Sequence, residues 1–232
     1  VTVNDDLEPI SHRFEALGVN ARGEIWLAWL DKRDASMARQ QGKPYSGAAV
    51  YYAVSRDGGR SFAGNRRAAG HSCECCRVAM AMDGDGVPVI LWRHVYDQNV
   101  RDHALLRLDG KSQPQRVSQD NWAIDACPHH GPAISIAPDG TYHVTWFTNA
   151  PHRHGLFYAR SADGGKTFSA PLNFGRYAAQ AGHAHVSSLG KSVFIAWKEF
   201  DGVSSRIQLM RSDDGGGHWS PAQPVAATKG AS

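Results

Sequence analysis

The chain has 232 residues, 20% of them charged, and a formal net charge of +3. That length serves one large domain or two small ones with a substantial core. The slight charge gives no basic stripe, so no nucleic-acid partner is expected, and no apolar run is long enough for a membrane-spanning helix.

Glycine is abundant (24 residues), and Trp, Tyr, Val and Ile recur in short runs. This composition favours strands and turns over helices. The opening "VTVNDDLEP" carries neither an initiator Met nor a signal peptide, which is read as a removed targeting segment or as a piece of something longer. Residues 1–10 are expected to form the outer strand of a sheet that begins elsewhere.

Along the chain, "GEIWLAW" ends a strand at Trp29, and a long loop follows. Another alternating strand then runs into "SRDGGRSF", Ser55 to Phe62. The pattern returns with "GVPVILW" to Trp92 and the degenerate "LLRLDGKSQ" from Leu105. It returns again with "GTYHVTW" to Trp146 and "SADGGKTF" from Ser161, then with "KSVFIAW" to Trp197 and "SDDGGGHW" from Ser212. Three segments share Ser-x-Asp-Gly-Gly-x-x-aromatic, and the second and third lie 51 residues apart. Each repeat reads as strand A, tight turn, strand B ending in Trp, loop, strand C, Asp-Gly-Gly turn and strand D. Four antiparallel strands per fifty or so residues predict an all-β chain of β-propeller blades. The repeats span about 11–70, 71–120, 121–178 and 179–228.

These Ser-x-Asp-Gly-Gly segments resemble the Asp-box, or BNR repeat, of the sialidase-like propellers. The resemblance implies six-bladed relatives, of which four repeats are visible here. The remainder of the ring would then come from missing blades or from a partner chain. It also implies export, to a bacterial periplasm or outside the cell. Asp57, Asp163 and Asp214 are expected to close their turns by bonding turn amides, a structural role.

In such a blade the D–A and B–C loops share one face. Ten of the twelve histidines and all four cysteines fall in those loops. "GHSCECCR" holds Cys73, Cys75 and Cys76, and "DACPHHG" holds Cys127, His129 and His130. Counting back nineteen residues from Trp92 and Trp146 gives Cys73 and Cys127. Counting back sixteen from Trp29, Trp92 and Trp146 gives Arg13, Cys76 and His130, with His183 and His185 near that level in the fourth repeat. This spacing predicts that these residues converge, provided the register does not slip.

Three chemistries fit the cluster. A disulfide between Cys73 and Cys127 suits an exported fold. A soft-metal site of Cys75 and Cys76 with His129, His130, His183 and His185 suits copper ahead of zinc, though Cys-x-Cys-Cys matches no zinc-finger spacing. A cysteine nucleophile would pair Cys76 with His130, but neither a lowered pKa nor an orienting group is evident from sequence.

The family resemblance adds sialidase activity, which uses three arginines, a Tyr paired with Glu, and an acid/base Asp. Arg13 and Arg77 begin inner strands, and Asp31 or Asp34 would serve as acid. Tyr51 or Tyr177 with Glu15 or Glu199 would form the nucleophilic pair. No Phe/Tyr-Arg-Ile-Pro stretch and no third well-placed arginine accompanies them. The reading carried forward is an exported propeller with a non-catalytic soft-metal site. A sialidase-type hydrolase and a protein- or glycan-binding propeller are the alternatives.

Overall fold

The computed structural model describes residues 1–229. Four antiparallel sheets, each of four strands in sequence order, account for the regular structure. The first holds β1 (His12–Val19), β2 (Ile25–Asp31), β3 (Ala48–Ser55) and β4 (Arg66–Ser72), with the short helix α1 (Arg33–Gln40) in its B–C connection. The second holds β5 (Ala79–Met82), β6 (Pro88–Arg93), β7 (His103–Arg107) and β8 (Gln115–Arg116). The third comprises β9 (Ala133–Ile136), β10 (Tyr142–Ala150), β11 (Arg153–Ser161) and β12 (Leu172–Phe174). The fourth comprises β13 (Gly182–Leu189), β14 (Ser192–Phe200), β15 (Ser204–Ser212) and β16 (Gln223–Lys229). Each sheet is a propeller blade built by local hairpins. Residues 1–10, expected as a strand, form none. They instead lie on the first blade through hydrogen bonds from the Asn65 side chain to Val3 O and from the Asp5 N–H to Asn65.

The chain divides into two compact units, Val1–His129 with the first two blades and His130–Ser232 with the last two. In the first unit, alternate residues of facing sheets bury Trp26, Leu30, Val50, Tyr52, Ile90, Trp92 and Leu106 in one core. Strands β1 and β5 touch there. The approach is close enough that a Cβ on Gly18 would run into Met82 Cε. In the second unit Leu156, Tyr158, Val186, Ile195 and Trp197 form the core. There β9 meets β13, and Ser135 Oγ lies 2.8 Å from Ser188 Oγ.

The Asp-Gly-Gly turns share one hydrogen-bond plan. Asp57 Oδ1 accepts from the Ser61 N–H at 2.9 Å, Asp163 Oδ1 from the Thr167 N–H at 2.9 Å, and Asp214 Oδ1 from the His218 N–H at 2.9 Å. The Ser two residues before each Asp donates to it at 2.7–2.8 Å and accepts from a turn glycine N–H. Those glycines have positive φ, such as 84° at Gly59, which a side chain would strain.

The first and fourth blades carry a feature that the repeat alignment does not reveal. Trp29 Nε1 donates to Asp31 Oδ2 at 2.9 Å, and Trp197 Nε1 donates to Glu199 Oε1 at 3.0 Å. An arginine completes each pair: Arg33 on Asp31 and Arg176 on Glu199. The recurrent Trp thus latches to an acid two residues on, and the latch is buried. Trp-x-acid at the end of strand B was the available sequence signal.

Candidate functional site

All four cysteines and His129 belong to the first unit. The segment from Ser72 to Val78 leaves β4 and enters β5, and its backbone is anchored on both sides. Cys73 N–H donates to Arg93 O at 2.8 Å, and Val78 N–H donates to Phe14 O at 3.4 Å. This turn folds Cys73, Cys75 and Cys76 inward against Val95, leaving each no more than 4% exposed. Cys73 Sγ lies 3.6 Å from Cys75 Sγ and 3.7 Å from Cys76 Sγ. Arg101 Nη1 donates to Cys73 Sγ at 3.2 Å.

A second group shares one member with the first. Cys75, Cys127 and His129 bring one donor atom each to within 4.8 Å of one another, with Cys127 and His129 exposed. His129 has a φ of 56°, a conformation uncommon outside glycine and frequent at functional loops.

The thiols polarise each other. Contact with the Cys76 thiol holds Cys75 down to about 4 against the opposing effect of burial, helped by Cys127 and the His129 N–H. Cys73 is lowered to about 7, again chiefly by Cys76. Cys76 is pushed far up by its contacts with the Cys73 and Cys75 thiols and by burial, and Cys127 rises to about 11 through its contact with Cys75 and burial. Both lowered thiols, Cys73 and Cys75, belong to the inner trio, and Cys75 is also the sulfur common to both groups.

All four cysteines are free thiols. The bridge expected between Cys73 and Cys127 is not formed: Cys73 packs with Cys75 and Cys76, whereas Cys127 groups with Cys75. The spacing from Trp is a poor guide because these cysteines lie in loops ahead of β5 and β9, and because the A strands of the first and fourth blades are bulged. Arg13 pairs with Leu30, and Gly182 occupies the equivalent place opposite Lys198. Phe14 and His183 then share a left-handed bulge position, with φ of 58° and 54°. Cys76 and His130 precede their strands altogether.

His130, His183 and His185 lie in the second unit. The His130 ring stacks on Phe147 at 4.1 Å and sits 4.9 Å from the His183 ring. His185 is an exposed residue of β13. Neither His103 nor His143 is a loop ligand: both are buried strand residues, at 1% exposure.

The candidates for glycosidic chemistry are dispersed among other partnerships. Asp31 is fully buried under Trp29 and Arg33. Its cluster with Asp6 and His12 already contains a cation, since Arg33 Nη2 lies 2.7 Å from Asp6 and 3.0 Å from Asp31. Tyr51 donates to Asp34 at 2.8 Å, and Tyr177 donates to Asn149 at 2.9 Å. Glu199 is held by Trp197 and Arg176, while Glu15 is exposed on β1. Arg13 and Arg77 are both exposed, next to the joined residues Phe14 and Val78. A polar cavity of about 1000 Å³ opens beside the thiols, lined by His71, His94, Asn99, Arg101, Arg116 and Asn121 among others. Arg101 and Val95 link it to the sulfur cluster, and nothing in the sequence marks Arg101.

Four-stranded antiparallel blades in series place the chain in the β-propeller class, and sialidases are among its structural neighbours. The Hadza microbial sialidase Hz136 is 15% identical with a TM-score of 0.60, over 90% of this chain and 46% of that one. A protein of unknown function from Dyadobacter fermentans gives 16% and 0.61, over 97% and 71%. The six-bladed fucose-binding lectin of Aleuria aurantia gives 13% and 0.52, over 87% and 56%. The chain thus spans about half the length of the named sialidase, and at these identities the likeness is one of fold. By sequence it matches no family model and no curated protein. Among the described residues no helix is long and apolar enough to cross a membrane.

Proposed function

We propose that this propeller binds a soft metal ion, copper(I) ahead of zinc(II), in a non-catalytic role. The observation that carries the reading is the inward-folded trio Cys73, Cys75 and Cys76, with sulfurs 3.6 and 3.7 Å apart. Three thiolates bound about 2.3 Å from one ion would stand roughly 3.8–4.0 Å apart, so only a small adjustment is needed. Thiolates select Cu(I) over harder ions, and burial keeps water from competing for it. Arg101 beside Cys73 offsets part of the negative charge that such a site accumulates. Export to an oxidising compartment is part of this reading and makes copper handling a reasonable task for free thiols that are shielded by packing.

Metal analysis of protein purified reduced and without chelator tests it. Stoichiometric copper or zinc in the wild type, lost in Cys75→Ser/Cys76→Ser, is the expected result. Protein that neither retains nor takes up either metal under reducing conditions would overturn it.

A second reading, a sialidase-type hydrolase, is favoured by the adjacency of Arg13 and Arg77 on the first unit's exposed surface. Arginine forks bind carboxylates, so two exposed arginines flanking the Val78–Phe14 backbone bond suit a carboxylate-bearing sugar. Turnover of a fluorogenic sialoside, abolished by Arg13→Ala and Arg77→Ala, supports this reading, and no turnover removes it.

A further inference from the structure

Resting on the soft-metal reading, we infer that the site holds two ions, one buried and one exposed, bridged by the Cys75 thiolate, and that the exposed position is where copper(I) is exchanged. Two donor sets, each drawn within 4.8 Å, meet at this one sulfur. Cys73, Cys75 and Cys76 form the inner set and are almost wholly shielded from solvent. Cys75, Cys127 and His129 form the outer set, with Cys127 and His129 at the surface.

Chemistry and packing both point to the bridge. A thiolate has enough lone pairs to join two soft cations, whereas an imidazole nitrogen has one and must end a chain of ligands. Cys75 is placed as the bridge and His129 as the outer terminus. The two sets also differ in softness: three sulfurs inside, two sulfurs and a nitrogen outside. The inner position should hold copper(I) more tightly. Cys73 and Cys76 offer no direct route to solvent, so an ion reaches them by way of Cys75.

Loading is then a sequence of ligand exchanges without a change of oxidation state. A carrier of copper(I), presenting thiolate or thioether sulfur, gives its ion to Cys127, Cys75 and His129. Each thiol that binds releases its proton to solvent, and each carrier–copper bond breaks as a new one forms. The ion passes inward as bonds to Cys73 and Cys76 form and those to Cys127 and His129 break. A second ion then fills the vacated outer position. The partner defined by this chemistry is a small soluble copper(I) carrier with sulfur ligands.

The test is anaerobic titration of the reduced full chain with copper(I), followed by removal with excess bathocuproine disulfonate. Two ions per chain are expected, leaving in one fast and one slow phase. Cys127→Ser/His129→Ala changes only exposed residues, so it should fold, and it should retain a single ion that loads and leaves slowly. Cys73→Ser should retain a single ion that leaves fast. One ion per chain in one phase, lost equally on changing either set, would overturn the two-position arrangement and leave the soft-metal reading standing. No bound ion at all would remove both. Should Cys73→Ser fail to fold by circular dichroism, the exposed double variant decides alone.

Discussion

At the scale of the residue, the buried acid behind a tryptophan is the strongest constraint outside the sulfur cluster. Asp31 has no solvent exposure and accepts from Trp29, the Arg33 N–H and the Arg33 guanidinium. Asp31→Ala leaves the buried Trp29 indole N–H without its partner, while the Arg33 guanidinium keeps Asp5 and Asp6 and loses one of three carboxylates. An unsatisfied buried donor costs about 1–3 kcal/mol, read as a lowered midpoint of urea unfolding. Asp31→Asn should lose less, because the carboxamide oxygen still accepts from Trp29. Equal and negligible losses would show that the latch contributes little. The role of Asp31 was hidden in the sequence because an acid beside a strand-ending Trp looks the same whether it faces substrate or an indole. Burial separates the two cases: a carboxyl enclosed by its own blade is a brace.

At the scale of the element, two glycines in A strands make opposite predictions from similar crowding. A Cβ at Gly18 would meet Met82 Cε, the far end of a flexible side chain. A Cβ at Gly182 would lie 2.7 Å from His130 Cε1, on a ring stacked against Phe147. Methionine can swing aside, so Gly18→Ala is expected to be nearly neutral. Gly182→Ala should cost about 1–3 kcal/mol as an overpacked contact; thermal unfolding of the two variants compares them directly. A His130 ring signal unmoved by Gly182→Ala in NMR would count against this packing. Blade architecture was readable from sequence because its determinants are local: alternation within strands, and Ser-x-Asp-Gly-Gly turns whose side chains bond their own amides. Ladder register was not readable in the same way. The bulges at Phe14 and His183 need left-handed backbone that neither residue type announces, and they shift the counts made backward from Trp29 and Trp197.

At the scale of the whole molecule, the chain divides between His129 and His130, two neighbours that sequence reading had assigned to one ligand set. Residue types for metal chemistry were legible as a concentration of Cys and His in loops. Which sulfur stands next to which depended on how the Ser72–Val78 turn folds, a matter of tertiary packing. Both units also enclose a neutral imidazole. His103, against Ser118 and Arg93, is held well below its ordinary pKa by burial and then by that guanidinium. His143 is bonded to Tyr158 and lies near Asp139 and Arg160; burial lowers it to about 4. An unfolded histidine titrates near 6.5. Between that value and the folded one the unfolded chain binds more protons, so stability is complete above about pH 6.5 and falls as pH drops toward 4. The melting temperature should decline from pH 7 to pH 5 and stay level from pH 7 to pH 8 as far as these groups act. His143→Gln should flatten part of that slope, and an unchanged slope would exclude His143 as its source. The placement of the four sulfurs supplies a further measurement. Cys127 stands open to reagent while the other three are sealed, so a coloured disulfide reagent should reach one thiol directly and the rest only as often as the turn opens. When closing outruns modification, the slow rate divided by that of an unprotected thiol is an equilibrium constant for opening. The sulfurs thereby act as a built-in gauge of local breathing, and metal loading should slow its reading.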